Sequence, residues 1–169
     1  MLGIDKDNIS IGGDSAGGNL ATAVTLMAGD RNLPVPTALL LIYPATDRRM
    51  LTESMKKYTD TPVWDAKLTK MIWKAYLGEQ TREHIEYASP LEAESFAKFP
   101  PTYIEVAEYD CLRDEGILLY KQLAEEGIRA ELHEIKNACH GFETVIDSSI
   151  MRDCMKRRID WLRQRRKLS

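Results

Sequence analysis

Several features that would place this chain in a special class of protein are absent from its sequence. No apolar run approaches the roughly 20 residues that a helix needs to cross a bilayer. The first residues also lack the basic region and apolar stretch of a secretory signal. The formal net charge of −3 gives no general reason to expect nucleic acid as a partner. These absences favour a cytoplasmic protein with no membrane segment and no nucleic-acid partner.

The sequence is also poor in cysteine. Its three cysteines, Cys111, Cys139 and Cys154, are an odd number, and none has the CxxC spacing of a metal site. The pattern favours reduced thiols over a disulfide framework. We therefore expect neither a metal nor another cofactor.

What is present is the composition of one globular domain. Apolar residues make up 44% of the 169 residues and charged residues 29%, values that are typical of globular proteins. This length is enough for one domain with a substantial hydrophobic core and too short for two of ordinary size. We expect a single domain over residues 1–169.

The order of strand and helix patterns predicts an α/β fold. Short apolar runs and alternating patterns predict four strands, at residues 8–13, 38–43, 102–107 and 130–135. Helical patterns follow the first, third and fourth strand, at residues 19–29, 114–126 and 143–165. Such alternation predicts a mainly parallel sheet of about four strands flanked by helices. The last helix carries basic residues, including Arg158, Arg163 and Arg165, which we expect to form a solvated face.

The stretch between the second and third strands differs from the rest. Residues 47–90 are polar and charged, with one clear helical pattern at 65–77. We interpret them as a helical insertion, or lid, within the domain. Its aromatic residues Trp64, Trp73 and Tyr76 fit the walls of a ligand pocket and a core beneath a lid equally well.

A G-x-S-x-G motif lies at Gly13-Asp14-Ser15-Ala16-Gly17, directly after a strand pattern and directly before a helix pattern. This context raises the serine hydroxyl above the sheet, where the Ala16 N–H and the helix dipole can stabilise an oxyanion. Because the turn is sharp, we expect glycine to be needed at both of its ends. A phosphate-binding loop is the alternative, but no lysine follows the glycines and the G-x-G-x-x-G spacing is absent. The motif indicates a serine nucleophile.

A serine nucleophile needs a base that takes its proton and a third group that orients the base. With this type of motif the chain order is serine, acid, histidine. Asp110 follows the third strand, so its carboxylate should lie at the same sheet edge as Ser15. Asp114 is a rival, but it is better placed to begin a helix, and an ordinary capping role is the alternative for Asp110. His140 lies after the last strand and before the last helix, which completes the expected order.

Four segments of the chain resemble the hormone-sensitive-lipase family of carboxylesterases. Residues 12–21 (GGDSAGGNLA) resemble its nucleophile elbow, and residues 89–91 resemble the segment that closes its insertion. Residues 108–116 are similar to its acid motif, although Cys111 stands where proline is usual, and residues 140–142 (HGF) are similar to its histidine motif. The likeness runs through nearly the whole chain.

The resemblance implies an α/β-hydrolase fold and the hydrolysis of small esters with a short acyl chain. It implies an acyl-enzyme mechanism in which Ser15 is the nucleophile, His140 the base and Asp110 the acid. The Ala16 N–H would contribute to the oxyanion hole, and Gly13, Asp14 and Gly17 would shape the elbow.

The 169 residues contain no HGGG-type sequence, which in such esterases supplies further oxyanion donors. Since seven residues precede the first strand pattern, we expect a truncated fold that keeps only the Ala16 donor. The loss of one donor costs about 100- to 1,000-fold in rate, so we expect weak or no esterase activity. The first strand would become an exposed edge, which is prone to pairing with another chain, so we expect a homo-oligomer.

Three hypotheses stay open at this point. The chain could be an active esterase that self-association or a separate N-terminal piece completes. It could be a catalytically impaired or inactive remnant that acts as an oligomeric or binding domain. It could also be part of a full-length esterase, which we favour for the chemistry because it explains both the motifs and the abrupt start.

Overall fold

Strands and helices alternate along the chain in the computed structural model, which describes residues 5, 8–78 and 83–166. The strands of these residues are β1 (Ser10–Asp14), β2 (Ala38–Ile42), β3 (Thr102–Tyr109) and β4 (Ala130–Cys139). Their α-helices are α1 (Ala16–Asp30), α2 (Glu53–Lys57), α3 (Ala66–Leu77), α4 (Arg113–Glu125) and α5 (Ser149–Arg166). Short 3-10 helices lie at Ile85–Tyr87, Pro90–Glu92 and Phe142–Thr144. In this part of the chain, no helix combines the length and the apolar character that crossing a bilayer requires.

The four strands form one parallel sheet in the order β1-β2-β3-β4. The predicted parallel α/β architecture is confirmed. Within the described residues β1 and β4 are the edges of the sheet, and β2 and β3 are its centre. Because all strands run the same way, their carboxyl ends meet at one side of the sheet.

Both faces of the sheet are covered, which explains the continuous apolar runs of the central strands. On one face, side chains of β2 and β3 pack with those of α1 and α4 in a cluster that includes Leu26, Leu39, Leu41, Ile104, Leu119 and Leu123. On the other face, a cluster that includes Ala38, Tyr103, Ala107, Ile135, Cys154 and Trp161 joins the sheet to α5. Burying one side chain the size of leucine stabilises the fold by about 1.5–3 kcal/mol, so these clusters hold the helices against the sheet.

The segment between β2 and β3 contains α2, α3 and two of the 3-10 helices. The apolar side of α3 is largely exposed at Met71 and Ile72, whereas Thr69 and Trp73 are buried. The helix therefore contacts the domain through a narrow stripe and leaves most of its apolar face uncovered. That residues 47–90 form a lid-type insertion stays a prediction, and residues 79–82 lie outside the described part.

The last helix differs from its prediction in two ways. It begins at Ser149 rather than at residue 143, because the Ser148 Oγ accepts a hydrogen bond from the Met151 N–H at 3.1 Å, the contact of an N-terminal cap. The prediction of a solvated basic face is wrong for Arg158 and Arg165, which are buried. Each of these cations has a carboxylate partner on the sheet, which offsets the cost of removing its charge from water.

Candidate active site

Four residues stand at the same side of the sheet, each directly after a strand. Ser15 follows β1, Tyr43 follows β2, Asp110 follows β3 and His140 follows β4. Parallel strands bring such positions together even though the residues are far apart in the sequence. The sequence pointed to three of the four; Tyr43 was missed because it was assigned to the end of a strand.

The backbone of Ser15 has an unusual conformation, with φ 52° and ψ −119°. For a residue with a side chain this costs on the order of 1–3 kcal/mol, and such strain is commonly found at functional sites. Backbone hydrogen bonds hold it in place, with the Ser15 N–H donating to the Ile42 carbonyl at 2.9 Å. The Ser15 carbonyl in turn accepts from the N–H groups of Asn19 at 3.1 Å and Ala45 at 3.2 Å. The turn is therefore tied to both α1 and the loop after β2.

Glycine is required at one end of this turn but not at the other. A Cβ on Gly13 would lie 2.3 Å from the backbone carbon and oxygen of Gly17, which no side chain can tolerate. A Cβ on Gly17 would meet only the Asp14 Oδ1, at 3.8 Å, so the expectation that Gly17 is sterically required is wrong. The second crowded position is Gly18, where a Cβ would lie 2.8 Å from the Pro44 Cβ. Here α1 passes closely over the end of β2, a contact that the motif does not encode.

Ser15, His140 and Asp110 form a continuous hydrogen-bonded chain. The His140 Nε2 lies 3.0 Å from the Ser15 Oγ, and its Nδ1 lies 2.7 Å from the Asp110 Oδ2. Asp110 is fully buried, and its Oδ1 accepts the Leu112 N–H at 2.9 Å. An ionised carboxylate can only accept, so Asp110 favours the tautomer with the proton on Nδ1. That tautomer leaves Nε2 free to accept the Ser15 hydroxyl proton.

The rival carboxylate, Asp114, does not contact His140. Its Oδ2 accepts the Ser54 N–H at 2.7 Å, and its Oδ1 pairs with the Arg113 guanidinium at 2.8 Å. It lies in the first turn of α4 and links that helix to α2. Of these two carboxylates, Asp110 is therefore the one that contacts the imidazole.

A cavity of about 260 Å³ opens beside Ser15. Its walls include Leu20, Trp64, Ile72, Trp73 and Tyr76. The three aromatic residues that the sequence marked as pocket walls or core thus line the cavity. One of them, Trp73, is also buried. This residue is therefore both a wall of the cavity and part of the core.

The N-terminus of α1 adjoins the serine hydroxyl. Ala16 is the first residue of α1, and the first N–H groups of a helix have no acceptor within it. The helix dipole favours negative charge at this position. A second feature of α1 was not recognised from the sequence: Asn19 is buried and its Nδ2 donates to the carbonyls of Ala45 at 2.6 Å and Ala88 at 2.8 Å. Asn19 therefore joins the elbow to the loop after β2 and to the C-terminal end of the 47–90 stretch.

A fully buried carboxyl group, Glu115, lies behind the site. Its Oε2 accepts the N–H groups of Thr46 at 2.7 Å and Asp47 at 3.0 Å, while its Oε1 has no hydrogen-bond partner among the described residues. Burial raises the pKa of Glu115 from 4.5 to about 8, and the nearby charges of Asp47 and Asp110 act in the same direction. Glu115 therefore keeps its proton to a higher pH than an exposed glutamate does.

This pKa predicts a stability that falls as the pH rises. The folded state prefers protonated Glu115, so its contribution is complete below about pH 4.5 and is lost as the pH rises through about 8. Between pH 5 and pH 8.5 we expect the free energy of unfolding to fall by an amount on the order of 4 kcal/mol. Urea denaturation at pH 5, 7 and 8.5 measures this fall in the free energy of unfolding.

Glu115→Gln should flatten this pH dependence, because an amide of the same shape stays neutral. The control is Glu125→Gln, which removes an exposed carboxylate at the end of the same helix. If Glu115→Gln and the wild-type chain lost stability in parallel over this range, Glu115 would not be the titrating group.

Comparisons with known proteins identify relatives of this chain and solved structures with the same fold. Residues 1–144 match a protein family described as alpha/beta hydrolase fold. Esterase LipI of Mycobacterium tuberculosis is 35% identical over 143 residues, which cover 84% of this chain and 45% of the relative. The solved structure of a bacterial heroin esterase superposes with a TM-score of 0.93 at 34% identity and covers 97% of this chain and 53% of the esterase chain.

A third comparison bears on the resemblance seen in the motifs. An esterase from the bacterial hormone-sensitive lipase family has a TM-score of 0.87 at 26% identity, with coverage of 96% of this chain and 55% of that one. The chain thus spans about half the length of the relatives and structures that it matches.

Proposed function

The chain belongs to the alpha/beta-hydrolase family, and we propose that it hydrolyses carboxylic esters of small molecules through an acyl-enzyme formed on Ser15. The predicted resemblance to esterases of the hormone-sensitive-lipase family is confirmed. One observation carries the proposal: the hydrogen bonds of 3.0 Å and 2.7 Å that link Ser15, His140 and Asp110 in that order. Serine hydrolases need this arrangement of nucleophile, base and acid.

In the first half of the proposed reaction, the His140 Nε2 takes the proton of the Ser15 hydroxyl while the Oγ attacks the carbonyl carbon of the ester. The negative charge that develops on the carbonyl oxygen is stabilised by the Ala16 N–H and the dipole of α1. When the tetrahedral intermediate collapses, the imidazolium gives its proton to the departing alcohol. The acyl group then remains bound to Ser15.

In the second half, a water molecule takes the place of the alcohol. His140 accepts a proton from the water as its oxygen attacks the acyl carbon. The collapse of the second intermediate returns that proton to the Ser15 Oγ and releases the carboxylic acid. Throughout, Asp110 stays ionised, keeps the imidazole in the required tautomer and stabilises the imidazolium.

The cavity supports a small substrate. A volume of about 260 Å³ beside Ser15 accommodates a short acyl chain or a small alcohol group, and its aromatic and aliphatic walls favour apolar substituents. The names of the relatives, an esterase and a heroin esterase, are consistent with ester substrates. We infer short-chain acyl esters as the substrate class.

The test is the hydrolysis of p-nitrophenyl acetate by the purified chain during titration with a fluorophosphonate, which reacts with activated serine. We expect activity to fall in proportion to the labelled fraction, and peptide mapping to place the label on Ser15. Since the sequence contains no HGGG motif, we expect slow turnover, about 100- to 1,000-fold below a site with further donors. Labelling on another serine, or hydrolysis that persists after complete labelling, would contradict the proposal.

We also infer that chains associate through the edge of β1. Within the described residues this strand pairs on one side only, with β2, and the neighbouring Ile9 is exposed. An unpaired strand edge is a template for pairing with another chain. Light scattering should detect an oligomer, and a monodisperse monomer would contradict the inference.

A further inference from the structure

A buried cluster of charged side chains lies near His140 and has no part in the reaction steps. Arg158, on α5, donates from its Nη2 to the Glu105 Oε1 on β3 and, at 2.6 Å, to the Glu143 Oε1. Glu105 is fully buried and Arg158 is nearly so. A single guanidinium nitrogen thus joins α5 to the centre of the sheet and to the 3-10 helix that contains Glu143.

This cluster reaches the imidazole by two routes. Glu143 stands three residues after His140, in the same turn of the chain. Its Oε2 accepts the hydroxyl proton of Tyr43 at 2.5 Å. The Tyr43 ring lies against the imidazole, with 4.3 Å between the ring centroids. The cluster therefore contacts both the turn that contains His140 and the Tyr43 ring that packs on the His140 imidazole.

Tyr43 is itself fixed at both ends. Its backbone N–H donates to the Glu105 carbonyl at 2.6 Å, next to the carboxylate that Arg158 binds. Burial, together with the hydrogen bond to Glu143, raises the pKa of Tyr43 above its ordinary value, so the hydroxyl remains a donor. Removing one member of a buried, hydrogen-bonded charge network leaves its partners uncompensated. Each member of the network is therefore held by partners on other elements.

We propose that Tyr43, Glu143 and Arg158 are positioning residues that keep the His140 Nε2 within hydrogen-bond distance of the Ser15 Oγ. This inference rests on the proposed function, because it assigns the three residues a role in that reaction. The competing explanation is that the network only attaches α5 to the sheet. If the residues position His140, removing the hydrogen bond between Tyr43 and Glu143 should lower kcat. If the network only attaches α5 to the sheet, the same change should leave kcat unaltered.

The chain offers a matched pair of tyrosines for this test. Tyr103 is also fully buried, and its hydroxyl donates at 2.6 Å to the Oε2 of Glu105 in the same network. Its ring contacts His133, with 4.6 Å between centroids, instead of His140. Tyr43→Phe and Tyr103→Phe therefore remove the same kind of hydrogen bond at the two ends of one network.

We expect Tyr43→Phe to lower kcat for p-nitrophenyl acetate by about tenfold and to leave KM within about twofold. Tyr103→Phe should leave both constants within about twofold of the wild-type values. Equal losses of kcat in the two variants, or no loss in either, would overturn the positioning role.

A second matched pair avoids the large loss of folding that removing Arg158 itself could cause. The Glu143 side chain is partly exposed, and Glu143→Gln removes its charge while keeping an acceptor for Tyr43. The control is Glu131→Gln, since Glu131 binds Arg165 of the same helix at 3.2 Å. We expect about a tenfold loss of kcat for Glu143→Gln and less than about twofold for Glu131→Gln.

The NMR signal of the His140 imidazole gives a readout that does not depend on turnover. The Nδ1 proton, held between His140 and Asp110, should give a sharp resonance in the wild-type chain and in Tyr103→Phe. We expect it to broaden in Tyr43→Phe and Glu143→Gln, because the ring becomes mobile. An unchanged resonance in both would refute the inference. If the wild-type chain hydrolyses no ester, the proposed function fails, and this resonance still decides the positioning role.

Discussion

Replacing Ser15 by alanine should lower kcat/KM for p-nitrophenyl acetate by about 10⁴-fold. In serine hydrolases the loss of the nucleophile costs on the order of 10⁶-fold in kcat, because the remaining donors and binding contacts support only slow attack by water. We expect a smaller ratio here, because the 169 residues contain no HGGG-type donors and the starting rate should therefore be lower. Initial rates corrected for hydrolysis in buffer measure the loss.

The control for this variant is Ser10→Ala. Ser10 begins β1, the strand that leads to Ser15, and it is exposed, so its loss should leave kcat/KM unchanged. Circular dichroism of both variants should match the wild-type spectrum, because among the described residues the Ser15 hydroxyl has a hydrogen bond to the His140 imidazole and to no other group. Hydrolysis by Ser15→Ala within about tenfold of the wild-type rate would mean that another group performs the attack.

Replacing Asp110 by asparagine should lower kcat by about 10³-fold at neutral pH, with little change in KM. An asparagine amide can donate to the His140 Nδ1, which favours the tautomer whose proton lies on Nε2. That nitrogen then cannot accept the proton of the Ser15 hydroxyl. The geometry of the site would be preserved, and only the position of one proton would change.

Asp114→Asn is the matched control for Asp110→Asn. Asp114 lies one turn further along and binds Arg113 and the Ser54 N–H instead of His140. We expect this variant to lose some stability, by about 1 kcal/mol, and to keep kcat within about threefold of the wild-type value. Michaelis–Menten kinetics of the two variants side by side make the comparison. Similar losses of kcat in both would show that the carboxylates act through folding alone.

The positions of the three side chains of the proposed reaction were predictable because each follows a strand of a parallel sheet. The apolar runs at 38–43 and 102–107 identified the two central strands, since side chains on both of their faces are buried. Ser15 and His140 then lie together for a topological reason, although 125 positions separate them in the sequence. The helical pattern at 114–126 did not by itself identify the buried face of α4, where Leu119 is buried and the adjacent Leu118 is exposed.

The features that the sequence did not disclose depend on partners that are distant along the chain. Arg158 was expected to be solvated because basic residues at the end of a helix usually are. It is buried because Glu105, 53 positions away, and Glu143 both bind it. In the same way, Glu115 has no sequence signal for its raised pKa, which arises from burial against the loop after β2.

Residue types and their order along the chain were thus sufficient for the fold class and for the three side chains of the proposed reaction, because a strand, a sharp turn and a helix are encoded locally. The contact between Tyr43 and Glu143 joins residues 100 positions apart, and the crowding at Gly18 comes from Pro44 on another element. Neither contact can be predicted from hydrophobic periodicity, because each depends on how closely separate elements approach one another. The geometry around the imidazole therefore became visible only when the sheet and its helices were assembled.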